Sequence, residues 1–298
     1  MKIALLHNPD AGAGELTVEE MTLLFQAAGH EVLAASTKEE HWEQVLGESI
    51  ERVVIAGGDG TVSSVAPHLA GRRLPFCILP LGTANNVARS LAQVQPARDL
   101  VAHFDTARLK KLDLGFARSW SNQWPFIEAV GFGLVVELMG RMAGAKEDEE
   151  SPPEERPNEK VARALGNLES LSEGYPGTVC EVLIDDEILS GRFLLLEVMN
   201  INFIGPNLQL APAADPSDGW LDLVCIRDDA RKAWRTYVSQ LKQGGQIAAP
   251  FEARRCRHVE FRGVSTPFHV DSEVLRPAAT PIRIGLEPAA LDFLDVGS

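Results

Sequence analysis

The chain has 298 residues, of which 45% are hydrophobic, and a formal net charge of −14. This length and apolar content predict one large or two ordinary domains with a packed core, and they exclude a disordered chain. The acidic balance argues against a nucleic-acid partner. We find no signal peptide and no run of about 20 apolar residues, so we expect a cytoplasmic protein without a transmembrane segment.

The first 110 residues alternate between strand and helix patterns, which is typical of a doubly wound parallel sheet. Glycine-rich turns follow three of the strands, and such sheets bind ligands where the carboxyl ends of their strands converge. The predicted strands cover 2–6, 30–35, 53–56 and 75–80, and the predicted helices cover 17–28, 39–46, 61–69 and part of 81–91.

The most informative turn is the sequence GGDGT at 57–61, directly after an apolar run. Glycine lets the backbone approach a ligand closely, and successive N–H groups before a helix form an anion cradle. Asp59 inside this cradle would repel a phosphate group unless a divalent cation lay between them. The turn therefore predicts a nucleotide and metal site, with Asp59 as a solvated loop carboxylate that adds little to stability.

The second half of the chain is rich in short strand patterns, which predict an antiparallel sandwich or barrel. We place the boundary near Leu112, with an α/β domain at 1–112 and a β-rich domain at 113–298. The acidic, proline-containing stretch 146–160 predicts a mobile surface loop. The predicted strands cover 178–184, 188–200, 221–227, 258–261, 267–270 and 282–286, and the one clear helix covers 231–242.

Two acidic motifs in the second half are candidates for chemistry. Asp215 and Asp218 lie in a loop rich in proline and glycine, where carboxylates can bind a hard cation, although spacing alone favours an ordinary turn. Asp271 and Glu273 are two residues apart, so they suit a general base with a charged partner, or a plain polar turn. The residues by themselves leave both alternatives open.

Taken together, these motifs resemble the diacylglycerol kinase catalytic-domain family in its bacterial lipid-kinase branch, to which sphingosine kinases are related. The resemblance implies an α/β N-terminal domain with a doubly wound parallel sheet and a β-rich C-terminal sandwich, whose last strand packs back on the first domain. It rests on Asn8-Pro9 with Gly12, GGDGT at 57–61, PLGTANN at 80–86, DLG at 113–115, Asp218-Gly219 and VDSE at 270–273.

The resemblance also implies roles for individual residues in a kinase that uses ATP and Mg²⁺ and reaches its lipid from the membrane surface. Glu273 would be the general base, while Asp59, Asp113 and Asp271 would belong to the magnesium network. Asp215, Asp218 and Trp220 would hold a second, structural magnesium. The implied contacts to ATP are Asn8, Pro9, Gly12, Thr37, Gly57, Gly58, Asp59, Gly60, Thr61, Ser63, Gly82 and Thr83.

The chain departs from the family pattern at several positions. Ser63-Ser64 stand where the family commonly has Asn-Glu, and Asn86 stands where it often has an acid. Ser272 stands where the family has glycine. A lysine often found near the glycine turn after the first strand is absent. A kinase for a soluble small molecule, NAD-kinase-like, and a non-catalytic nucleotide or lipid sensor therefore stay open, as does a homodimer. An apolar tunnel would favour a lipid acceptor.

Overall fold

A computed structural model describes residues 1–11, 16–120, 122–148, 155–245, 247–276 and 281–296. The N-terminal part is an α/β unit whose parallel strands lie in the order β4-β3-β1-β2. Its strands are β1 (Lys2–His7), β2 (Glu31–Ser36), β3 (Arg52–Gly57) and β4 (Phe76–Pro80), and its helices are α1 (Val18–Ala27), α2 (Asp59–Leu69), α3 (Asn86–Ser90) and α4 (Ala97–His103).

Both faces of this sheet are covered, which explains why its inner strands are almost continuously apolar. On β1, Ile3 and Leu5 pack with Phe25 on one face, while Ala4 and Leu6 pack with α2 and α3 on the other. The helix α1 begins with a capping box in which the Thr17 side chain accepts a hydrogen bond from the Glu20 N–H group.

The C-terminal part is built from antiparallel strands and three helices, α5 (Leu134–Asp148), α6 (Pro157–Gly174) and α7 (Arg231–Lys242). Its strands are β5 (Arg108–Arg118), β6 (Gln123–Phe126), β7 (Ala129–Gly133), β8 (Thr178–Ile184), β9 (Glu187–Met199), β10 (Leu221–Arg227), β11 (Ala253–Cys256), β12 (Val259–Arg262), β13 (Phe268–Val270), β14 (Glu273–Leu275) and β15 (Ile282–Asp295). They lie in the order β14-β13-β7-β9-β8-β12-β15, while β10 pairs with β9 and β11 pairs with β10.

The last strand connects the two parts of the chain. β15 runs antiparallel to β5 along most of its length, and Phe293 pairs in parallel with Phe76 of β4. Leu112, where we placed the domain boundary, lies inside β5. The division at this residue stays a prediction, and the pairing makes one continuous hydrogen-bonded sheet across it.

Several predicted elements differ from the structure. The helix predicted at 39–46 is a short 3-10 helix at Trp42–Val45, and the helix within 81–91 spans five residues. Of the predicted mobile loop at 146–160, residues 146–148 end α5 and 157–160 begin α6, whereas 149–154 lie outside the described residues. A proline and an acid of this stretch lie in the first turn of a helix. Pro157 is the first residue of α6, and the Glu159 side chain accepts the Arg156 N–H at 2.9 Å.

Within the described ranges, every helix is too short or too polar to cross a bilayer.

Candidate active site

Two glycine turns meet at the carboxyl ends of β3 and β4, which are neighbours in the parallel sheet. A Cβ atom on Gly58 would lie 2.9 Å from the Gly82 Cα, and one on Gly82 would lie 2.4 Å from the Gly58 Cα. Any side chain at either position would push the two turns apart, because real Cβ contacts are not that short. The two turns therefore form one surface made of backbone.

The helix α2 begins in this surface and points its amino end at the space above it. Gly58 is the N-cap and offers no side chain, so the first N–H groups of the helix are not capped from within. A helix amino terminus of this kind attracts an anion through its dipole and its free donors. Gly57 behind it is buried, and its own Cβ would lie 2.3 Å from Thr61 Oγ1.

A cavity of about 620 Å³ opens over these turns. Thr37 follows β2 and lies in the cavity wall. Its N–H donates to the carbonyl of His7, the last residue of β1, at 2.8 Å, which holds the ends of the two strands together. Of the ATP contacts implied by the resemblance, the cavity is lined by Asn8, Thr37, Gly58, Gly60, Thr61, Gly82 and Thr83. Those that do not line it are Pro9, Gly57, Asp59 and Ser63, while Gly12 lies outside the described residues.

Two lysines in the cavity wall were missed by the sequence analysis. Lys38 follows Thr37 directly, and Lys160 reaches the cavity from α6. Their ammonium groups suit the negative charge of a phosphate chain. The position of Lys38 beside a predicted contact could have suggested it, but Lys160 falls in the stretch that the composition predicted to be a loop.

Asp59 is not the solvated loop carboxylate that we expected. It is the first residue of α2, half-buried, and its Oδ1 accepts the N–H of Val87 at 3.0 Å in the first turn of α3. Burial raises the pKa of this carboxyl above its ordinary value, and the hydrogen bonds from the backbone oppose that rise. Asp59 therefore fixes α3 against α2, and its role toward magnesium stays a prediction.

Glu128 is a third residue that the sequence analysis missed. It is buried, and its Oε1 accepts a hydrogen bond from Asn86 Nδ2 at 2.7 Å. Burial raises the pKa of Glu128 well above its ordinary value, and the nearby carboxylates of Asp59 and Asp271 raise it further. The available signal was a single acid inside the apolar run WPFIEAVGF at 124–132, which is an unusual place for an unpaired charge.

Asp271 holds the turn between β13 and β14. Its Oδ2 accepts the N–H of Ile127 at 2.9 Å, and its Oδ1 accepts those of Glu128 and Ala129 at 2.9 and 3.0 Å. Burial raises the pKa of Asp271, against the effect of these donors. Its φ of 49° lies in the left-handed region. Asp271 therefore positions the backbone of residues 127–129. Its place in the magnesium network stays a prediction.

A buried pair lies behind this turn. His269 Nδ1 is 3.0 Å from the Asp271 carbonyl oxygen, so this nitrogen donates, and Nε2 is 2.8 Å from Glu197 Oε2. The pKa of His269 is raised by the Glu197 carboxylate and by the hydrogen bonds, although burial acts in the opposite direction. The pair fixes the backbone that carries Ser272 and Glu273.

The turn places Ser272, rather than the Glu273 side chain, in the cavity wall. A Cβ atom on Gly60 would lie 3.3 Å from Ser272 Oγ, so the second half of the chain contacts the start of α2 here. Glu273 begins β14 and is exposed. The structure brings the predicted base next to the glycine turns without placing its carboxylate in the cavity lining, and its role stays a proposal.

Asp113 lies away from the cavity and acts as a cross-link. Its Oδ2 accepts the Gly219 N–H and its Oδ1 accepts the Ala289 N–H, each at 2.8 Å. Both oxygens of this buried side chain are therefore occupied by backbone donors from two distant segments. Asp113 therefore ties the loop 215–220 to the irregular part of β15, and its place in the magnesium network stays a prediction.

The carboxylates of the loop 215–220 already have partners within the protein. Asp218 Oδ1 accepts the Trp220 N–H at 3.0 Å, and its Oδ2 forms an ion pair with Arg255 Nη2 at 2.5 Å. Asp215 Oδ1 accepts the Ser217 N–H at 3.0 Å, and the Asp215 carbonyl accepts the Asp218 N–H at 3.3 Å.

Positive charge is already present around this loop. Lys110 Nζ lies 3.5 Å from Asp215 Oδ1, and the guanidinium groups of Arg255 and Arg257 lie 5.0 and 4.4 Å from the centre of the Trp220 ring. Nowhere in the described part of the chain do three His, Cys, Asp or Glu side chains form a metal-binding group. The carboxylates of Asp215 and Asp218 are thus engaged with the protein's own N–H groups and cations. The structural magnesium at Asp215, Asp218 and Trp220, with backbone carbonyls as ligands at Asp215 and Trp220, stays a prediction.

Comparison with known proteins identifies the family of this chain. The sequence model described as the diacylglycerol kinase catalytic domain matches residues 2–117, and that of the YegS C-terminal NAD kinase beta sandwich-like domain matches 149–295. The chain belongs to the diacylglycerol kinase catalytic-domain family. The predicted fold class is thereby confirmed, with an α/β N-terminal domain of parallel strands and a C-terminal domain like a β-sandwich.

Relatives of this family match most of the chain. It is 28% identical over 260 residues to a diacylglycerol kinase of Mycobacterium tuberculosis, covering 84% of this chain and 78% of the relative. It is 26% identical over 243 residues to a diacylglycerol kinase of Bacillus subtilis, covering 75% and 73%. The crystal structure of a diacylglycerol kinase from Bacillus anthracis has a TM-score of 0.73 at 19% identity, covering 99% and 96%, which shows the fold alone.

Proposed function

We propose that this protein is an ATP- and Mg²⁺-dependent lipid kinase that phosphorylates a hydroxyl group of a diacylglycerol-like or sphingoid-like lipid. The observation that carries this proposal is a second cavity, of about 560 Å³, adjoining the one over the glycine turns. The two cavities share Asp10, Thr83, Glu155 and Lys160 in their walls. A molecule with a polar end at the glycine turns would therefore extend directly into the second cavity.

The wall of the second cavity is largely apolar. It is contributed mainly by one face of α5 and the facing side of α6, including Leu138, Met139, Met142, Val161 and Ala164. Removing a hydrocarbon chain from water is worth about 0.8 kcal/mol for each buried CH₂ group. An acyl or sphingoid chain gains from such a wall, whereas a nucleoside or polyol does not, and this favours the lipid acceptor over a soluble one.

The residues of this chain suggest how the transfer proceeds. The free N–H groups of α2, together with Lys38 and Lys160, would bind the phosphates and offset the charge that develops on the leaving oxygen. The acceptor oxygen would attack the γ-phosphorus, the bond to the β–γ bridging oxygen would break, and Glu273 would take the hydroxyl proton. Magnesium enters with ATP and neutralises phosphate charge.

A cavity-filling variant tests the acceptor. Ala164 is buried in the wall of the second cavity, and Ala162 is exposed on the same helix. We expect Ala164→Trp to raise the KM for a long-chain lipid by about tenfold or more, the loss of a few buried CH₂ groups, with no change in the KM for ATP. Ala162→Trp is the matched control and should behave like the parent. An Ala164→Trp enzyme with unaltered lipid KM would refute the assignment.

A further inference from the structure

The residue pair Asn86 and Glu128 lies beside the glycine turns and has no assigned role. We propose that Glu128 supplies a carboxylate to the magnesium ion that accompanies ATP, with Asn86 as its amide partner. The proposal rests on the proposed use of ATP and Mg²⁺, but it does not depend on the identity of the acceptor. The family often has an acid at the position of Asn86, so this chain lacks one carboxylate there.

The pair leaves one buried oxygen atom without a hydrogen-bond partner. Asn86 Nδ2 donates to Glu128 Oε1 at 2.7 Å and to the Gly205 carbonyl at 3.0 Å, so both amide hydrogens are used. Asn86 Oδ1 is buried and has no partner among the described residues. Asn86 and Glu128 are only 2% and 6% exposed.

Unpartnered oxygens on buried side chains are costly, and native structures contain few of them. Carboxylate and amide oxygens are also the donors that a hard divalent cation prefers. The orphaned amide oxygen of Asn86, next to the Glu128 carboxyl, thus points to a cationic ligand rather than to a second hydrogen-bonding side chain. The donation from Asn86 fixes the side chain of Glu128 in one orientation.

The pair lies within one network that joins both halves of the chain. On one side, Asp59 Oδ1 accepts the N–H of Val87, the neighbour of Asn86. On the other, Asp271 Oδ1 accepts the N–H of Glu128 itself at 2.9 Å. Three carboxylates are thereby held near each other by backbone groups on α2, the segment before β7 and the turn before β14.

This network contains three acidic side chains and no cation of its own. Throughout the described ranges, Asp59, Glu128 and Asp271 form no ion pair with Lys, Arg or His. Like charges in a buried setting repel strongly, and a divalent ion between them would convert the repulsion into attraction. The network is therefore suited to receive the ion that arrives with the nucleotide, and Glu128 restores the carboxylate that is missing at Asn86.

The test exchanges the two functional groups. The variants are Glu128→Gln, Asn86→Asp and the double variant Asn86→Asp with Glu128→Gln, which moves the carboxylate across the pair. We would measure the melting temperature with and without a non-hydrolysable ATP analogue and Mg²⁺, the affinity for Mn²⁺ by electron paramagnetic resonance, and phosphotransfer. The control for removing a charge elsewhere is Asp292→Asn. Asp292 is a buried acid on β15 that pairs with Lys111 of β5.

We expect Glu128→Gln to keep or raise the melting temperature without ligand, to lose most of the magnesium-dependent shift, and to cut turnover by roughly 10²-fold. The double variant should recover at least about tenfold of that loss, and Asp292→Asn should keep the full shift. A Glu128→Gln protein that melts earlier but retains the shift and the Mn²⁺ affinity would show a structural role only and overturn the proposal, as would a parent with no magnesium-dependent shift. Failure to phosphorylate any lipid would refute the proposed function while the binding measurements still decide the role of Glu128.

Discussion

At the scale of single residues, Gly58 and Gly82 show most clearly why the site has the sequence that it has. The two Cα atoms face each other so closely that neither position accepts a Cβ. Gly140 is a useful contrast, because it lies in the exposed part of α5 and a Cβ there would meet nothing within 4 Å.

We expect Gly82→Ala to reduce the affinity for ATP and to lower the free energy of unfolding by about 1–3 kcal/mol, since the two turns must separate to admit the methyl group. Gly140→Ala should instead stabilise the protein by about 0.5–1 kcal/mol, as alanine is the better helix former. Urea unfolding and an ATP titration of both variants measure these effects. Unchanged ATP affinity in Gly82→Ala would contradict the contact between the turns.

The carboxylates of the site predict a pH dependence. Burial raises the pKa of Glu128 well above its ordinary value and also raises those of Asp59 and Asp271. In the folded state these carboxyls keep protons that the unfolded state releases. The stability that this protonation contributes is therefore fully present below the unfolded pKa, and it is lost as the pH rises through the folded pKa. We expect the free energy of unfolding without ligand to fall from about pH 5 to pH 8.

The same series of urea melts on Glu128→Gln is the control for this pH dependence. Its profile should be flatter, because one of the groups that takes up a proton is gone. A parent profile that is flat, or that rises over this range, would show that these carboxyls are ionised in the folded protein without ligand.

At the scale of secondary-structure elements, prediction from the sequence succeeded where periodicity dominates. The helix α7 and the strands β8 and β10 have the predicted bounds, because each is a distinct apolar run that packs into the core. The sequence analysis missed α5 and α6, whose acidic and proline-rich junction is typical of a loop in composition. The helix α3 is short, and Asp59 of α2 accepts a hydrogen bond from its first turn.

The loop 215–220 carries the prediction that differs most from the family resemblance. We propose that the ion pair between Arg255 and Asp218, with two guanidinium groups against Trp220, takes the place of a structural metal ion. We expect a chelator to leave the melting temperature unchanged. Arg255→Gln should destabilise the protein by about 1 kcal/mol, the combined scale of an exposed ion pair and a cation–π contact.

Arg257→Gln is the matched control, because Arg257 lies over the same ring but has no ion pair with Asp218 among the described contacts. Its effect should be smaller than that of Arg255→Gln. A melting temperature that drops with chelator in the parent would restore the structural magnesium and refute this reading of the loop.

At the scale of the whole molecule, the candidate site forms where the last third of the chain returns to the first. β15 pairs with both β5 and β4, and the turn before β14 brings Ser272 against Gly60. The glycine turns could be predicted because each follows a strand in a local pattern. The contributions of Glu128, Lys160 and Ser272 could not, because they depend on contacts between residues far apart in the sequence.

The central claim is that ATP and a lipid meet at this junction with Glu273 as the base. The most direct measurement is transfer of radiolabelled γ-phosphate from ATP, with Mg²⁺, to diacylglycerol and sphingoid lipids in mixed micelles and to nucleosides and polyols in solution, for the parent and for Glu273→Gln. We expect label in a lipid only, and a loss of roughly 10²–10⁴-fold in turnover in Glu273→Gln with ATP affinity retained. Label in a soluble acceptor alone, or an undiminished rate in Glu273→Gln, would contradict the account.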